Sequence, residues 1–225
     1  MMKSVLLSFP IHNMTPQYGG ARDISIRHRT SITHGDSSNS QFISMPNHVG
    51  THIDFPKHFS VDGKTINDYP AEFWFFQHPF LLEYPAAEKE IIEFEKTTLD
   101  GIPSETDILL IKTGFQQFRG HKKYWNDNPG LAPSLARKLK TNCPELKAVG
   151  FDFISLSSYQ NRKLGREAHR EFLVQNDILI IEDMNLSELP EKVDQIVALR
   201  LLIVQIEGSP IPVVAYFELI LGVHL

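Results

Sequence analysis

Ala148-Val149-Gly150-Phe151-Asp152-Phe153, a helical pattern from Leu164 to Gln175, and Asp177-Ile178-Leu179-Ile180-Ile181-Glu182 follow one another closely. The two outer runs are short, apolar and bounded by turn-forming residues, which reads as strands buried on both faces. The segment between them is rich in Arg, Glu, Ala, Phe and Leu, and it closes near Asn176. Strand, helix, strand is the repeating unit of an α/β layer. Moving outward, Asp107 to Gly114 repeats the buried-strand pattern. Ser134 to Thr141 follows Pro133, a favoured first helical residue, and reads as a second helix. Phe73-Trp74-Phe75-Phe76 and Pro79 to Tyr84 read as buried strands. Lys3 to Leu7 and Leu201 to Glu218 add strands at the two ends. Residues 14–40, rich in Gly, Ser, Thr and Asn, read as loops with short strands. The expected architecture is one mixed α/β domain over residues 1–225.

The chemistry is concentrated in His48-Val49-Gly50-Thr51-His52-Ile53-Asp54-Phe55-Pro56-Lys57-His58. Three histidines and one aspartate occupy positions 48, 52, 54 and 58. Gly50 and Pro56 oppose a helix, and in an extended backbone these even positions share one face. Such a row of nitrogen and oxygen donors suits a zinc-like or manganese-like cation. A carboxylate can bridge two cations, so Asp54 raises the expectation of a second metal with ligands from elsewhere. His169 lies on the predicted helix and Glu182 ends the following strand. That pair can reach one sheet edge at a strand's carboxyl end, where open α/β sheets hold ligands. Taken alone, His169 is a helix-face histidine and Glu182 a strand-end acid. A metal lowers the pKa of its bound water from 15.7 to about 7, which suits hydrolysis. His58, last in the row and beyond Pro56, is the expected proton carrier, because imidazole titrates near neutrality with a pKa of about 6.5. Asp152, Asp183 and Cys143 read as structural.

Composition narrows the alternatives. The formal net charge of −5 offers no basic footprint for nucleic acid. No run reaches the roughly 18 apolar residues of a membrane helix, and Met1 to Leu7 lacks the features of an export signal. One cysteine, Cys143, cannot form an intramolecular disulfide, which favours a reducing compartment. The expectation is a cytoplasmic protein with a small-molecule substrate.

The row His-x-Gly-Thr-His-x-Asp-x-Pro-x-His at 48–58 resembles the hallmark of the cyclase-like metal-dependent hydrolases, the family of bacterial kynurenine formamidases and isatin hydrolases. The resemblance continues through Thr113-Gly114-Phe115, Tyr124-Trp125, Pro129-Gly130-Leu131, Gly150-Phe151-Asp152 to Ser155, Ala168-His169-Arg170, Ile181 to Leu186, and Gly208-Ser209-Pro210. It implies a barrel-like mixed sheet of the swivelling β/β/α type, and a homo-oligomer, dimer or tetramer. It also implies two divalent metals per chain, zinc first and manganese second. His48, His52 and Asp54 would hold one metal, Asp54 and Glu182 would bridge, and His169 would complete the second. His58 would shuttle the proton. The formamidases carry a tryptophan against the substrate ring in an N-terminal loop; here that stretch is Gln17-Tyr18-Gly19-Gly20, making Tyr18 the expected substrate contact. The family's closing segment often contains an arginine, whereas Ser209 to Ala215 has none, so a guanidinium to recognise a substrate carboxylate is absent and carboxylate recognition, as of an amino acid, is not expected. The resulting expectation is hydrolysis of an amide, formamide or lactam C–N bond in a small ring-bearing molecule, as in kynurenine formamidase. A lyase or cyclase that stabilises an enolate and a non-catalytic metal-stabilised binding protein are the alternatives. A proton carrier at His58 speaks against the last.

Overall fold

A computed structural model describes residues 1–218. Its largest sheet has six strands in the order Gly208–Pro210, His52–Asp54, Leu179–Glu182, Ala148–Phe151, Ile108–Lys112 and Pro79–Glu83. The last four are mutually parallel. His52–Asp54 runs antiparallel to both of its neighbours. The parallel strands follow from their sequences: Ile108, Leu109, Leu110 and Ile111 are wholly buried, as continuous Ile and Leu runs require when both faces are covered. The strand–helix–strand reading holds. The helix Arg162–His169 continues into a π-helical turn, Arg170–Gln175, that buries Phe172 and Leu173. The helix Pro133–Asn142 opens on its proline as expected.

A second sheet, ordered Met2–Leu6, Val213–Glu218, Gln195–Ala198 and Phe75–Phe76, is antiparallel throughout. The two sheets are stitched at Leu7 and Ser8. Leu7 donates its N–H to the Val213 carbonyl and accepts one from Asn185, and Ser8 bridges Met184. Side chains from both sheets and from both longer helices join one apolar core. Among the described residues no helix is long and apolar enough to cross a membrane.

Two expectations need correction. Phe73 and Trp74 lie in a 3-10 turn, Ala71–Trp74, and only Phe75–Phe76 is strand. A four-residue apolar run does not distinguish strand from helical turn. Here Tyr69, Phe73 and Trp74 pack on one another, and Tyr69 and Trp74 on Phe55, in a tertiary cluster that sets the local shape. Leu201 to Val204 are not strand but an exposed loop.

Candidate metal centre

The ligand strand is only three residues long, so the one-face alternation holds for His52 and Asp54 and not for the whole row. Ile53, between them, turns to the core and is fully buried. The antiparallel register sets Glu182 directly opposite His52, which places the two side chains on one face as cross-strand neighbours. His48 arrives by a different route. Gly50 adopts φ +63°, a left-handed conformation that costs glycine nothing, and the chain folds back so that His48 Nδ1 bonds Asp54 Oδ1 at 2.8 Å. The space it occupies exists because residue 208 is glycine: a Cβ there would lie 2.2 Å from His48 Cε1. His58 ends a 3-10 turn opened by Pro56, and its ring stacks on His48 with centroids 4.0 Å apart.

His169 completes the group from the helix. Its Nε2 lies 3.6 Å from Asp54 Oδ2 and 3.5 Å from Glu182 Oε1. His52 Nε2 lies 3.6 Å from Asp54 Oδ1 and 3.4 Å from Glu182 Oε2. The far nitrogens of both rings are tied to backbone. His52 Nδ1 sits 2.8 Å from the Gly50 carbonyl oxygen and His169 Nδ1 2.8 Å from that of Gly165. A carbonyl oxygen only accepts, so each Nδ1 carries a proton; each Nε2, turned toward the two carboxylates, donates to them when protonated and, once deprotonated, is free to bind a cation held between them. Metal-binding histidines are oriented by this kind of second hydrogen bond. Glu182 is held in turn by the Leu156 N–H at 2.7 Å and the Ser155 hydroxyl at 3.2 Å. His48 Nε2 is buried without a hydrogen-bond partner. That nitrogen faces Glu207 Oε1 at 3.7 Å, on the side away from Asp54; it is the convergence of three imidazoles and two carboxylates, with the Nε2 atoms of His52 and His169 turned toward both acids, that fits divalent cations. The donor atoms of His48, Asp54 and His58 also lie within 4.8 Å of one another, as do those of His52, Asp54 and Glu182.

The electrostatics follow from burial and pairing. Burial alone would depress His52 and His169; contacts with Glu182 and Asp54 overcome it and hold them at about 9 and about 10 in the metal-free protein. Burial works against ionised Asp54, yet His48 and His169 keep it well below the usual carboxylate range. His58 moves the other way. Burial and the neighbouring imidazoles His48 and His169 pull it below its ordinary value, with Asp54 opposing.

Asp183, structural as its sequence context suggests, supports the centre in a way that no motif marks. Asp183 is buried, takes φ +52°, and receives a two-pronged ion pair from Arg119 at 2.9 and 2.8 Å together with the Tyr124 hydroxyl. Its carbonyl accepts the Thr51 hydroxyl at 2.6 Å. The network therefore ties the residue after Glu182 to the residue before His52. Arg119 lies outside every motif and 64 residues from its partner, so no spacing signal marks it.

The histidines and carboxylates of the centre line a cavity of about 290 Å³ that also includes Gln17, Tyr18, Phe59, Arg162 and Arg166. Tyr18, the expected substrate contact, is part of this lining. Burial, with Glu182 adding to it, raises its phenol to about 12, so it remains a hydrogen-bond donor near neutral pH. Arg162 and Arg166 went unremarked in the sequence, although with His169 they recur at i, i+4 and i+7 of one helix, which was the available signal.

The Cyclase family model, described as Putative cyclase, matches residues 5–158. The chain belongs to this cyclase family. A relative of this cyclase-family protein in Methanocaldococcus jannaschii, itself uncharacterized, is 30% identical over 175 residues, covering 77% of this chain and 80% of the other. The kynurenine formamidase of Sphingopyxis alaskensis is 27% identical over 208 residues, with 91% and 93% covered. Isatin hydrolase A from Labrenzia aggregata superposes with a TM-score of 0.80 at 21% identity, over 96% of this chain and 93% of the other. At that identity the likeness concerns the fold, and the fold is the mixed α/β type expected for this cyclase-family chain.

Proposed function

We propose that residues 1–225 form one metal-dependent hydrolase unit that cleaves an amide, formamide or lactam C–N bond of a small ring-bearing molecule. The seven residues 219–225 lie outside the described residues and carry no part of this reading. The supporting observation is the convergence of His48, His52, Asp54, His169 and Glu182 in one cavity beside His58. In this reading His48, His52 and Asp54 would hold one cation, Asp54 and Glu182 would be shared with a second, and His169 would complete it. Zinc is the first candidate and manganese the second. When bound, such ions acidify water to a pKa of about 7 and polarise a carbonyl oxygen. The remaining work belongs to the chain. His58, neutral at pH 7, takes a proton from the attacking water and passes it to the leaving nitrogen. Tyr18 contacts the substrate ring, and the buried walls limit competing solvent. The protein acts in the cytoplasm as a homo-oligomer.

Turnover on N-formylkynurenine, isatin, simple formanilides and lactones, with zinc and manganese compared, tests the reading. In isotopically labelled water the product should gain one solvent oxygen; a product without it assigns the enolate-stabilising lyase chemistry instead. His58→Ala should retain close to two metals per chain while kcat falls by about 10²–10⁴, the usual contribution of a positioned acid–base group. Unchanged turnover would remove its role. Because His58 sits below its ordinary 6.5, the acid limb of kcat/KM should have its midpoint below pH 6.5 at constant metal content.

Metal loading should also release protons. His52 and His169 are raised in the metal-free fold to about 9 and about 10. Their protonated forms stabilise that fold fully below about pH 6.5, and this contribution is lost as pH rises through 9 to 10. A cation needs both neutral. Calorimetry at pH 7.5 in buffers of different ionisation enthalpy should therefore give a slope of about two protons released, with affinity climbing toward pH 9. A slope of zero counts against these ligands.

A further inference from the structure

The helix Arg162–His169 delivers three side chains to the cavity: Arg162, Arg166 and His169. Their spacing puts them on one helical face. At about 1.5 Å rise per residue, Arg166 stands about 4.5 Å and Arg162 about 10 Å along the axis from His169. Neither arginine pairs with an acid: among the described residues, the arginine in an ion pair is Arg119. Arg162 is nonetheless placed. Its guanidinium lies over the Tyr159 ring at 4.8 Å, and Tyr159 meets Tyr18 edge-on at 5.2 Å. A guanidinium stacked on an aromatic face keeps its N–H fork free in the ring plane.

A second observation points to a ligand at the same wall. Gln17 is 6% exposed, and its Nε2 is buried with no partner; the Tyr18 hydroxyl is likewise unpartnered. Buried polar groups are nearly always satisfied, so an orphaned pair lining a cavity marks what the cavity receives. All four side chains offer hydrogens: two guanidinium forks, an amide and a phenol. Two positive charges at the exposed rim, neither paired with an acid, with neutral donors beside them, match a planar anion, which arginine binds with both prongs.

We propose that Arg162, Arg166, Gln17 and Tyr18 form a carboxylate-recognition subsite, so that the substrate is a small carbonyl compound bearing an acid one to two helical turns from the carbonyl that reacts. The identity of the reacting end rests on the hydrolase reading; binding of the acid does not. The guanidinium missing from Ser209 to Ala215 is supplied by the helix that carries His169.

The test compares 4-formamidobenzoate with 4-formamidobenzamide on the metal-loaded protein. The acid should be favoured in kcat/KM by about tenfold or more, as expected for a charged hydrogen-bonded contact. In the Arg162→Gln/Arg166→Gln double variant that ratio should fall toward one, with the change carried by KM. Arg166→Lys, which keeps charge and loses the fork, should fall between. In the wild-type protein the KM for the acid alone should rise with salt, a readout independent of any variant. Equal kcat/KM for acid and amide, or a preference that persists in the double variant because metals hold the carboxylate, overturns the proposal. If neither compound turns over, calorimetry with 4-aminobenzoate and 4-aminobenzamide reads the subsite alone. Preference for the acid that is lost in the double variant upholds the subsite while the hydrolase reading fails. Equal binding overturns the subsite.

Discussion

Asp54→Asn should leave the protein folded, with metal content well below two per chain after dialysis and turnover reduced at least 10²-fold. Asp54 is the hub of the centre. It bonds His48 and stands 3.6 Å from both His52 and His169, and among the described residues no other carboxylate pairs with all three. Asparagine keeps the shape and removes the charge. The loss should exceed the 10–100-fold that removal of a mere supporting partner costs in metal affinity or activity. Glu182→Ala should act in the same direction, since it also strips the acceptor from the Leu156 N–H. Metal analysis together with kcat reads both variants; near-wild-type occupancy in either would show that the carboxylate is no ligand.

Arg119→Ala should give the largest loss of stability. Its guanidinium faces a carboxylate that is 1% exposed and strapped into a left-handed backbone conformation. Removing one partner of a buried ion pair leaves an uncompensated charge, at about 3–5 kcal/mol. At about 2–4 °C per kcal/mol for a chain of this size, Tm should fall by about 6–20 °C. Arg119→Lys, lacking the fork, should recover only part. Because Asp183 follows Glu182 and its carbonyl holds Thr51, the variant should also bind metal more weakly at temperatures where it is still folded. A melting curve within 2 °C of wild type, on the same scale, would show that the pair contributes little.

The sequence made the centre legible because metal chemistry forces its residue types into a short row. His48, His52, Asp54 and His58 are visible together, and the parallel strands announce themselves as apolar runs. What escaped has no local signature. Arg119 reaches Asp183 across 64 positions. The route of His48 depends on a glycine turn and on the empty place at Gly208, neither of which alternation describes. The 3-10 turn at Ala71–Trp74 is set by aromatic packing against Phe55, which outweighs the strand preference of Phe and Trp. Arg162 and Arg166 were visible in helical spacing but carried no meaning until the cavity lay beside them.

The antiparallel strand His52–Asp54, wedged between partners from the second half of the chain, has a consequence for biogenesis. Thr51 reaches Asp183 across 132 residues, Asn47 reaches Glu207 across 160, and Ser8 reaches Ile211 across 203. Such distant closures come late, since their loop entropy must be met before their contacts reward it. The histidine row leaves the ribosome early and then waits, exposed and incomplete, until residues near 210 are synthesised. A cation bound by this row would therefore seal a nearly finished fold and not seed it.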